Sequence, residues 1–201
     1  IEDAAEAFGS YYKKRHLGTL GDIGILSFNG NKIITTGGGG AVLTNNSKIA
    51  KKINHISRNS RVKKYFWEYT HNELGFNFRM PSLNANLGIA QIKNLKLFLK
   101  NKRKLFERYK ILFSGLNDFN LFQEPKYAKS NYWLNAIILK KPNKKTVIKI
   151  LKKAAKKNIQ LRPVWKILSK NKYLNKCPRM NLSCANHLEK RIINIPSSSD
   201  L

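Results

Sequence analysis

The stretch from Ser27 to Asn46, SFNGNKIITTGGGGAVLTNN, contains a lysine in an unusual setting. Lys32 follows a short apolar run and stands five residues before the glycine run Gly37 to Gly40. One interpretation is a surface lysine in front of a mobile turn. The other is a lysine that bonds covalently to a cofactor, because glycines let the backbone pass close to such a group. The residues around Lys32 bear on this choice.

Asp3 and Ser27 each end a segment that predicts a strand, and Lys32 lies just past the second of these segments. Loops at the carboxyl ends of strands are where open α/β sheets bind ligands. A pyridoxal phosphate (PLP) enzyme needs a lysine amine that bonds to the cofactor and a carboxylate against the pyridine nitrogen. It also needs hydroxyl and backbone N–H groups around the phosphate. The spacing is compatible with a PLP site, but by itself it favours the structural alternatives, with Asp3 as a helix N-cap and Ser27 as a satisfied strand-end hydroxyl.

The elements that would position these residues are short. The segment GDIGILSF predicts a buried strand, and IITTGGGGAVLTNN predicts a strand, a glycine turn and a second strand, which together form a hairpin. The segment SKIAKKINHIS is amphipathic and predicts a helix with Ser47 as its N-cap. The aromatic segment from Arg58 to Met80 shows little periodicity, so we expect it to be irregular.

A long helix is predicted to begin at Pro81 and Ser82. Apolar residues recur at helical spacing as far as Phe113, with a bend or break expected near Leu99. Such a helix is long enough to connect two domains. We therefore predict a division inside it, with residues 1–95 as the remainder of a large ligand-binding domain and residues 96–201 as a small C-terminal domain.

The second half of the chain predicts a small α/β unit. YWLNAIIL predicts a strand, Thr146 to Lys157 a helix, and IQLRPVW a second strand. The segment HLEKRIINIPSSS predicts either a helix end or a strand. The fold class of the whole chain is accordingly predicted to be α/β.

The formal net charge of +28 raises the possibility of nucleic-acid binding. The lysines, however, are spread from Lys13 to Lys190 and recur inside amphipathic segments such as KKPNKKTVIKILKKAAKKN. There they would form the solvated face of a helix. A solvated basic surface that attracts anionic ligands such as nucleotides is therefore the favoured interpretation, and no nucleic-acid partner is predicted.

Other ligand and location classes are disfavoured by the composition. Cys177 and Cys184 do not form a zinc or disulfide pattern, and the histidines lie far apart, so no metal site is predicted. No apolar run approaches the ~18 residues of a membrane-spanning helix, and no signal peptide is visible. We expect a protein of the cytoplasm.

Four segments carry a resemblance to a known family: EDAAEAFGS, GDIGILSFNGNKIITTGGGG, LGFNFRMPSLNANLGIAQ and LRPVW. In order and spacing they resemble the DegT/DnrJ/StrS family of PLP-dependent sugar aminotransferases, over the whole length of the chain. The details SFNGNK, TTGGGG and INIPSS look most like the subgroup that aminates C4 of UDP-4-keto-6-deoxy-N-acetylhexosamines. The resemblance implies PLP fold type I, with part of the large domain followed by the small α/β domain.

The resemblance also implies a role for individual residues. Lys32 matches the Schiff-base lysine and Asp3 the partner of the pyridine nitrogen. Ser27 matches a phosphate-binding hydroxyl. Asn77, in GFNFRM, matches an asparagine that reaches the phosphate of the neighbouring subunit in a homodimer with shared active sites. Glu6 stands where the family commonly has Gln or His near the cofactor ring, so a carboxylate there departs from the usual pattern.

The function implied by the resemblance is transamination, with glutamate as amino donor and a nucleotide-linked keto sugar as acceptor. Family members have a longer N-terminal part, so this chain is expected to be the later half of such an enzyme and inactive by itself. Two alternatives stay open. One is a non-catalytic homologue kept for binding or dimerisation, and the other is a basic nucleic-acid-binding protein.

Overall fold

The structure is a computed structural model that describes residues 1–62 and 65–201. The chain divides into two compact units, which are described separately. Unit 1 consists of Ile1–Leu99 and Pro125–Asn131, and unit 2 of Lys100–Glu124 and Tyr132–Leu201. The predicted division into domains at residue 96 stays a prediction.

The helices and strands are short, with one exception. In chain order they are β1 (Glu2–Asp3), β2 (Tyr11–Tyr12), β3 (Arg15–His16), β4 (Gly24–Ser27), β5 (Gly40–Leu43), α1 (Ser47–Ile56), β6 (Arg61–Val62), β7 (Thr70–His71), α2 (Ser82–Leu112), β8 (Phe119–Leu121), β9 (Ala128–Lys129), β10 (Asn135–Leu139), α3 (Lys144–Ala155), β11 (Arg162–Pro163), α4 (Ser183–Glu189) and β12 (Ile192–Ile195). Two 3-10 turns, Leu168–Lys170 and Lys172–Leu174, precede α4.

The sheet that matters for the site lies in unit 1 and has the order β1–β4–β5. Strand β1 runs parallel to β4, with Asp3 opposite Ile25, and β5 runs antiparallel to β4. Buried Leu26 of β4 packs in a core that also contains Ala4, Ile33 and Ile34. A second small sheet, β3–β2–β9, brings the segment 125–131 into unit 1.

The sequence prediction was wrong about the hairpin. Residues 33–36 form no strand, and β5 pairs instead with β4, with Ser27 opposite Gly40. Ile33, Ile34 and Thr36 are buried in a loop. Their burial explains the apolar β-like composition, because a loop that packs into a core needs the same apolar residues as a buried strand.

The helix predictions need two corrections. The N-cap of α1 is Asn46 and not Ser47, because the Asn46 side chain accepts hydrogen bonds from the backbone N–H groups of Lys48 and Ile49. The long helix was predicted correctly in place and length, but it continues through Leu99 as one α-helix of 31 residues. Within the described ranges, none of the helices combines the length and apolar composition that a membrane crossing requires.

Unit 2 is built on a sheet with the order β11–β12–β10–β8, in which each pair of adjacent strands is antiparallel. Alternate residues of β10 face the core, so Ile137 and Leu139 are buried together with Ile193, Ile195 and Val147. Helix α3, whose N-cap is Asn143, supplies Val147 to this core. The predicted strand–helix–strand order of this half is confirmed, with HLEKRIINIP giving both a helix end and a strand.

Candidate active site

The loop between β4 and β5 carries Lys32 and is closed at its base by backbone hydrogen bonds. The Phe28 N–H donates to the Gly39 carbonyl (3.0 Å), and the Thr36 N–H donates to the Phe28 carbonyl (3.0 Å). At the tip, the Lys32 N–H donates to the Asn29 carbonyl (3.0 Å), which forms a turn. These hydrogen bonds define the conformation of the loop, and the strands on either side of it set the position of Lys32.

The glycine run serves the base of this loop. A Cβ on Gly40 would lie 2.2 Å from the Leu26 carbonyl oxygen, so no side chain fits there. Gly39 has φ +91°, in the left-handed region that favours glycine. From helix α2, the Asn84 side chain donates to the Thr36 carbonyl (2.5 Å) and fixes the approach to the run. The glycine at position 40 thus allows the backbone of β5 to lie close to the backbone of β4.

Lys32 reaches back from this loop to the segment that follows β1. Its Nζ lies 3.2 Å from Oε1 of Glu6, and the two groups form an ion pair. The Lys32 side chain is only 13% exposed, whereas that of Glu6 is 51% exposed. The amine is therefore largely withdrawn from water but faces a carboxylate at the rim.

Asp3 and Ser27 lie at the carboxyl ends of adjacent parallel strands. Asp3 is opposite Ile25, and Ser27 is the last residue of β4, two positions further along. The Asp3 Oδ1 accepts from the Ala5 N–H (3.2 Å), and the Ser27 Oγ accepts from the Asn29 N–H (3.4 Å). Both side chains thus belong to the end of the sheet from which the Lys32 loop and the Glu6 segment start.

Asn77 lies elsewhere in unit 1. It forms an isolated bridge with Arg58, just after α1. The neighbouring residues hold it there, because the Phe76 N–H donates to the Ile56 carbonyl (2.7 Å) and the Phe78 N–H to the Ser57 carbonyl (3.0 Å). The structure therefore assembles Lys32 with Glu6, and Asp3 with Ser27, and it attaches Asn77 to the end of α1.

Sequence reasoning missed the role of Glu2. Its carboxylate accepts from the backbone N–H groups of Gly18 (2.9 Å), Leu20 (2.5 Å) and Gly21 (2.5 Å). These hydrogen bonds, above all those from Gly21 and Gly18, lower the pKa of Glu2 below its ordinary value. Glu2 thereby braces the loop that leads into β4. The glycines of HLGTLGDIG were the signal that could have indicated an acceptor for loop N–H groups.

Asn131 was also missed, because it is far from the other site residues in sequence. It is buried, with 4% of its surface exposed, and it contacts the segment after β1. Its Nδ2 donates to the carbonyls of Glu6 (2.8 Å) and Phe8 (3.0 Å), and its backbone N–H donates to the Ser10 Oγ (2.9 Å). No local sequence signal could have found this contact, which depends on the pairing of β9 with β2.

Unit 1 also exposes a group of large apolar side chains from the aromatic segment and the start of α2. They include Phe66, Trp67, Tyr69, Leu74, Phe76, Phe78, Leu83, Leu87, Ile89 and Ile92. So many exposed apolar residues on neighbouring elements are typical of a protein interface. Within residues 1–62 and 65–201, no cluster of three or more His, Cys, Asp or Glu side chains could hold a metal ion. Lys63 and Lys64 of the predicted irregular segment lie outside the described residues.

Comparison with known proteins adds family relationships to this geometry. The profile of the DegT/DnrJ/EryC1/StrS aminotransferase family matches residues 1–201. GDP-perosamine synthase of Escherichia coli O157:H7 is 36% identical over 166 residues, which cover 82% of this chain and 44% of that protein. UDP-4-amino-4,6-dideoxy-N-acetyl-beta-L-altrosamine transaminase of Campylobacter jejuni (strain 81-176) is 36% identical over 139 residues, which cover 69% of this chain and 37% of that protein. The chain thus spans less than half the length of these curated relatives.

Solved structures agree with the fold. Helicobacter pylori PseC, an aminotransferase involved in the biosynthesis of pseudoaminic acid, superimposes with a TM-score of 0.92 at 24% identity. The match covers 99% of this chain and 54% of PseC. The predicted fold class, part of a PLP-dependent transferase of fold type I with a small C-terminal α/β unit, is confirmed.

Proposed function

Because the chain belongs to the DegT/DnrJ/EryC1/StrS aminotransferase family, we propose that the full-length protein is a PLP-dependent sugar aminotransferase. It would transfer the amino group of glutamate to the keto carbon of a nucleotide-linked sugar. The observation that carries the proposal is the position of Lys32. The β4–β5 loop returns its amine to within 3.2 Å of Glu6, three residues after Asp3, at the end of the sheet where Ser27 also lies.

The side chains at this end of the sheet fit PLP by their chemistry. A largely buried amine, a carboxylate and a hydroxyl stand at the carboxyl ends of adjacent strands, where α/β sheets bind ligands. PLP, when bound, supplies an aldehyde that bonds to amines and a protonated ring that withdraws electrons. Lys32 would hold it covalently, Asp3 would pair with its ring nitrogen, and Ser27 would donate to its phosphate. Glu6 is proposed to lie beside it.

Each residue has a task that its own chemistry explains. The Lys32 Nζ bonds to the cofactor and, when free, moves a proton to or from the substrate carbon. The Asp3 carboxylate keeps the ring nitrogen protonated, because a nearby negative charge favours the cationic form. The Glu6 carboxylate accepts a hydrogen bond from the Lys32 ammonium, as it does in the structure. The surrounding buried residues Ile33 and Ile34 keep water from the base of the Lys32 loop.

The substrate class is proposed from the relatives and from the sequence resemblance. One relative is named for a GDP-linked product and another for a UDP-linked one, and both names describe amino-deoxy sugars. The segments SFNGNK and TTGGGG favour C4 of a UDP-linked 4-keto-6-deoxy sugar as the acceptor. A strongly basic protein, with a net charge of +28, also suits an anionic nucleotide sugar. The cytoplasm remains the predicted location.

The test is an assay of the full-length protein with PLP, glutamate and either the UDP-linked or the GDP-linked 4-keto-6-deoxy sugar. We expect the amino sugar and 2-oxoglutarate to form in equal amounts, with the UDP-linked substrate preferred. Asp3→Asn should slow turnover by about 100-fold, the size of one electrostatic contact at an active site. Failure of both keto sugars to react would contradict the proposal, and preference for the GDP-linked sugar would contradict only the choice of nucleotide.

A homodimer with shared active sites is part of the proposal. The exposed apolar residues of the aromatic segment and of α2 support an interface, and Asn77 lies among them between Phe76 and Phe78. From there its amide would donate to the phosphate in the partner subunit's site, whereas a carboxylate would repel that phosphate.

Mixing two inactive variants of the full-length protein tests this arrangement. Asn77→Asp should weaken PLP binding, and Lys32→Ala should be unable to bond to PLP. In a mixed dimer, the site with the wild-type lysine takes its asparagine from the Lys32→Ala chain and is intact. We therefore expect activity to return when the two variants are mixed. Asn94→Asp is the control for Asn77→Asp, and it should be active both alone and after mixing with Lys32→Ala. No gain on mixing, with dimer exchange verified, would contradict a contact between subunits.

A further inference from the structure

The segment from Glu6 to Ser10 lies outside the helices and strands, so its shape depends on individual hydrogen bonds. Two of them are local turns, in which the Ala7 N–H donates to the Ala4 carbonyl (3.0 Å) and the Ser10 N–H donates to the Ala7 carbonyl (2.7 Å). A third comes from β3, where the His16 Nε2 accepts from the Gly9 N–H (2.9 Å). None of these bonds fixes the peptide carbonyl of Glu6 itself.

Asn131 makes that connection. Its Nδ2 donates to the Glu6 carbonyl (2.8 Å) and to the Phe8 carbonyl (3.0 Å), so one amide group joins both sides of the turn. The backbone N–H of Asn131 holds the far end of the segment through the Ser10 Oγ (2.9 Å). Asn131 and Ser10 are both buried, so the donor side of these bonds is shielded from water.

We infer that Asn131 is a positioning residue of the candidate active site, which acts by holding Glu6 where its carboxylate receives the Lys32 ammonium. Two carbonyls require two donors from one side chain, and the amide of asparagine supplies both. Losing them removes the donor of two part-buried carbonyls and releases the turn. The Glu6 side chain then no longer stays 3.2 Å from the Lys32 Nζ. The inference rests on the proposed function only in taking Lys32 as the cofactor-binding amine.

Glu6 matters because the Lys32 amine cannot remain bonded to the cofactor throughout a transamination. When it is free and charged, a largely buried ammonium needs an acceptor, and Glu6 supplies one at the rim of the site. Since this acceptor is a side chain on a segment without regular secondary structure, the state of the Lys32 amine depends on how well Glu6 is held. Asn131 meets that need from a distant part of the sequence.

The experiment measures the reactivity of Lys32 without any cofactor chemistry. The full-length protein, freed of PLP, is treated with an amine-acetylating reagent at fixed, mildly alkaline pH, and acetylation of Lys32 is followed by peptide mass spectrometry. Glu6→Gln should raise the labelling rate roughly five- to tenfold, the size of a typical net hydrogen bond. Asn131→Ala should raise it to a similar extent. The double variant should react no faster than Glu6→Gln.

Two controls separate positioning from a general loosening of the fold. Labelling of exposed Lys48 should stay unchanged in every variant. Asn94→Ala removes an exposed asparagine that bonds only within α2 (Nδ2 to the Ala90 carbonyl, 3.0 Å), and it should leave Lys32 labelling unchanged. If Asn131→Ala does not fold, Asn131→Ser takes its place under the same criteria.

The inference would be overturned if Asn131→Ala leaves Lys32 labelling at the wild-type rate, or if its effect adds to that of Glu6→Gln. Additivity would mean that Asn131 acts on stability and not through Glu6. Failure of the proposed function is distinguishable, because it would appear as an absence of borohydride-trapped PLP on Lys32 in the wild-type protein, whatever the labelling rates.

Discussion

Among the residues that the structure describes, two lysines are largely withdrawn from water, one in each unit, and they are held in different ways. The Lys32 amine lies on a loop and faces the Glu6 carboxylate at the rim of a sheet. Lys102 lies inside α2 with 7% of its surface exposed, and its Nζ donates to the carbonyls of Trp133 (3.0 Å) and Ser197. Burial lowers the pKa of Lys102 to about 8, and the charge of Asp200 raises it only in part.

Lys102 shows that a lowered pKa does not by itself mark a functional lysine. The lowered pKa of Lys102 accompanies a structural role, because its ammonium donates to the backbone carbonyls of Trp133 and Ser197 and so connects α2 to other segments of unit 2. Structural networks shift pKa values as catalytic sites do. Lys32 lies near the carboxyl ends of β1 and β4, beside the Glu6 carboxylate. A bound ligand can replace the hydrogen bond between these two side chains. Location and the type of partner therefore identify the candidate site, and burial does not.

The largest expected effect distinguishes these two lysines directly. In the full-length protein with PLP, borohydride reduction should attach the cofactor to Lys32. Lys32→Ala should abolish this adduct and lower the rate of turnover by at least about 1000-fold, as for the loss of a proton-transfer group. Lys102→Ala should retain the adduct. Mass spectrometry of the reduced peptides measures both results.

The folded state of each variant is checked by circular dichroism before the comparison is made. A folded Lys32→Ala protein that still traps PLP would remove Lys32 from the site. A folded Lys102→Ala protein that no longer traps PLP would show that the two lysines are not separate in function.

Lys32, Asp3 and Ser27 could be chosen from the sequence because they stand next to predicted strands and because the family resemblance assigns a role to each of them. It also predicted the place of α2, whose apolar periodicity is local information. Local patterns predicted less well where two neighbouring residues could fill the same role. Asn46 and Ser47 are both good N-cap residues, and only the structure shows that the Asn46 side chain accepts from the N–H groups at the start of α1.

Long-range pairing was beyond the sequence. Residues 33–36 have the composition of a strand, yet β4 takes β5 as its partner, and only the folded sheet shows this. Asn131 contacts Glu6 across 125 positions, and Lys102 contacts Ser197 across 95 positions. Neither contact leaves a periodic or spacing signal, because each is set by tertiary packing and not by the residues beside it.

The pH dependence of stability tests the account of Lys102. Its pKa is about 8 in the folded protein and 10.5 ordinarily, so between these values the unfolded chain binds a proton that the folded protein has released. Stability contributed by this group therefore rises as pH increases through about 8. We expect the unfolding free energy of wild type relative to Lys102→Met to increase by about 1–3 kcal/mol from about pH 7 to about pH 10.

Urea denaturation of both proteins at each pH gives this difference, and groups that titrate in both proteins, such as Tyr109 and Tyr132, cancel from it. A difference that is constant with pH would mean that the Lys102 amine keeps its ordinary pKa. A difference that falls with pH would mean that its charged form is the one that the fold stabilises.

The smallest expected effect comes from the residue next to Lys102. Arg103 directs its guanidinium to a carboxylate, with Nη1 and Nη2 each 2.9 Å from an oxygen of Glu124. This contact raises the pKa of Arg103, but both side chains retain access to water, at 32% and 23% exposure. Glu124→Gln keeps the shape and removes the charge, so we expect a loss of no more than about 1 kcal/mol, as for partly exposed ion pairs. The loss should shrink in about 1 M salt, which screens such pairs.

Glu107→Gln is the matched control, because Glu107 lies 3.9 Å from Lys110 on the surface of the helix that carries Arg103, and this substitution should have a smaller effect still. A loss above about 3 kcal/mol for Glu124→Gln, unchanged by salt, would show instead that this pair behaves as a buried one. The Arg103–Glu124 contact would then be as strong as the contacts of Lys102 with backbone carbonyls, and the expected difference between these two neighbouring residues would be wrong.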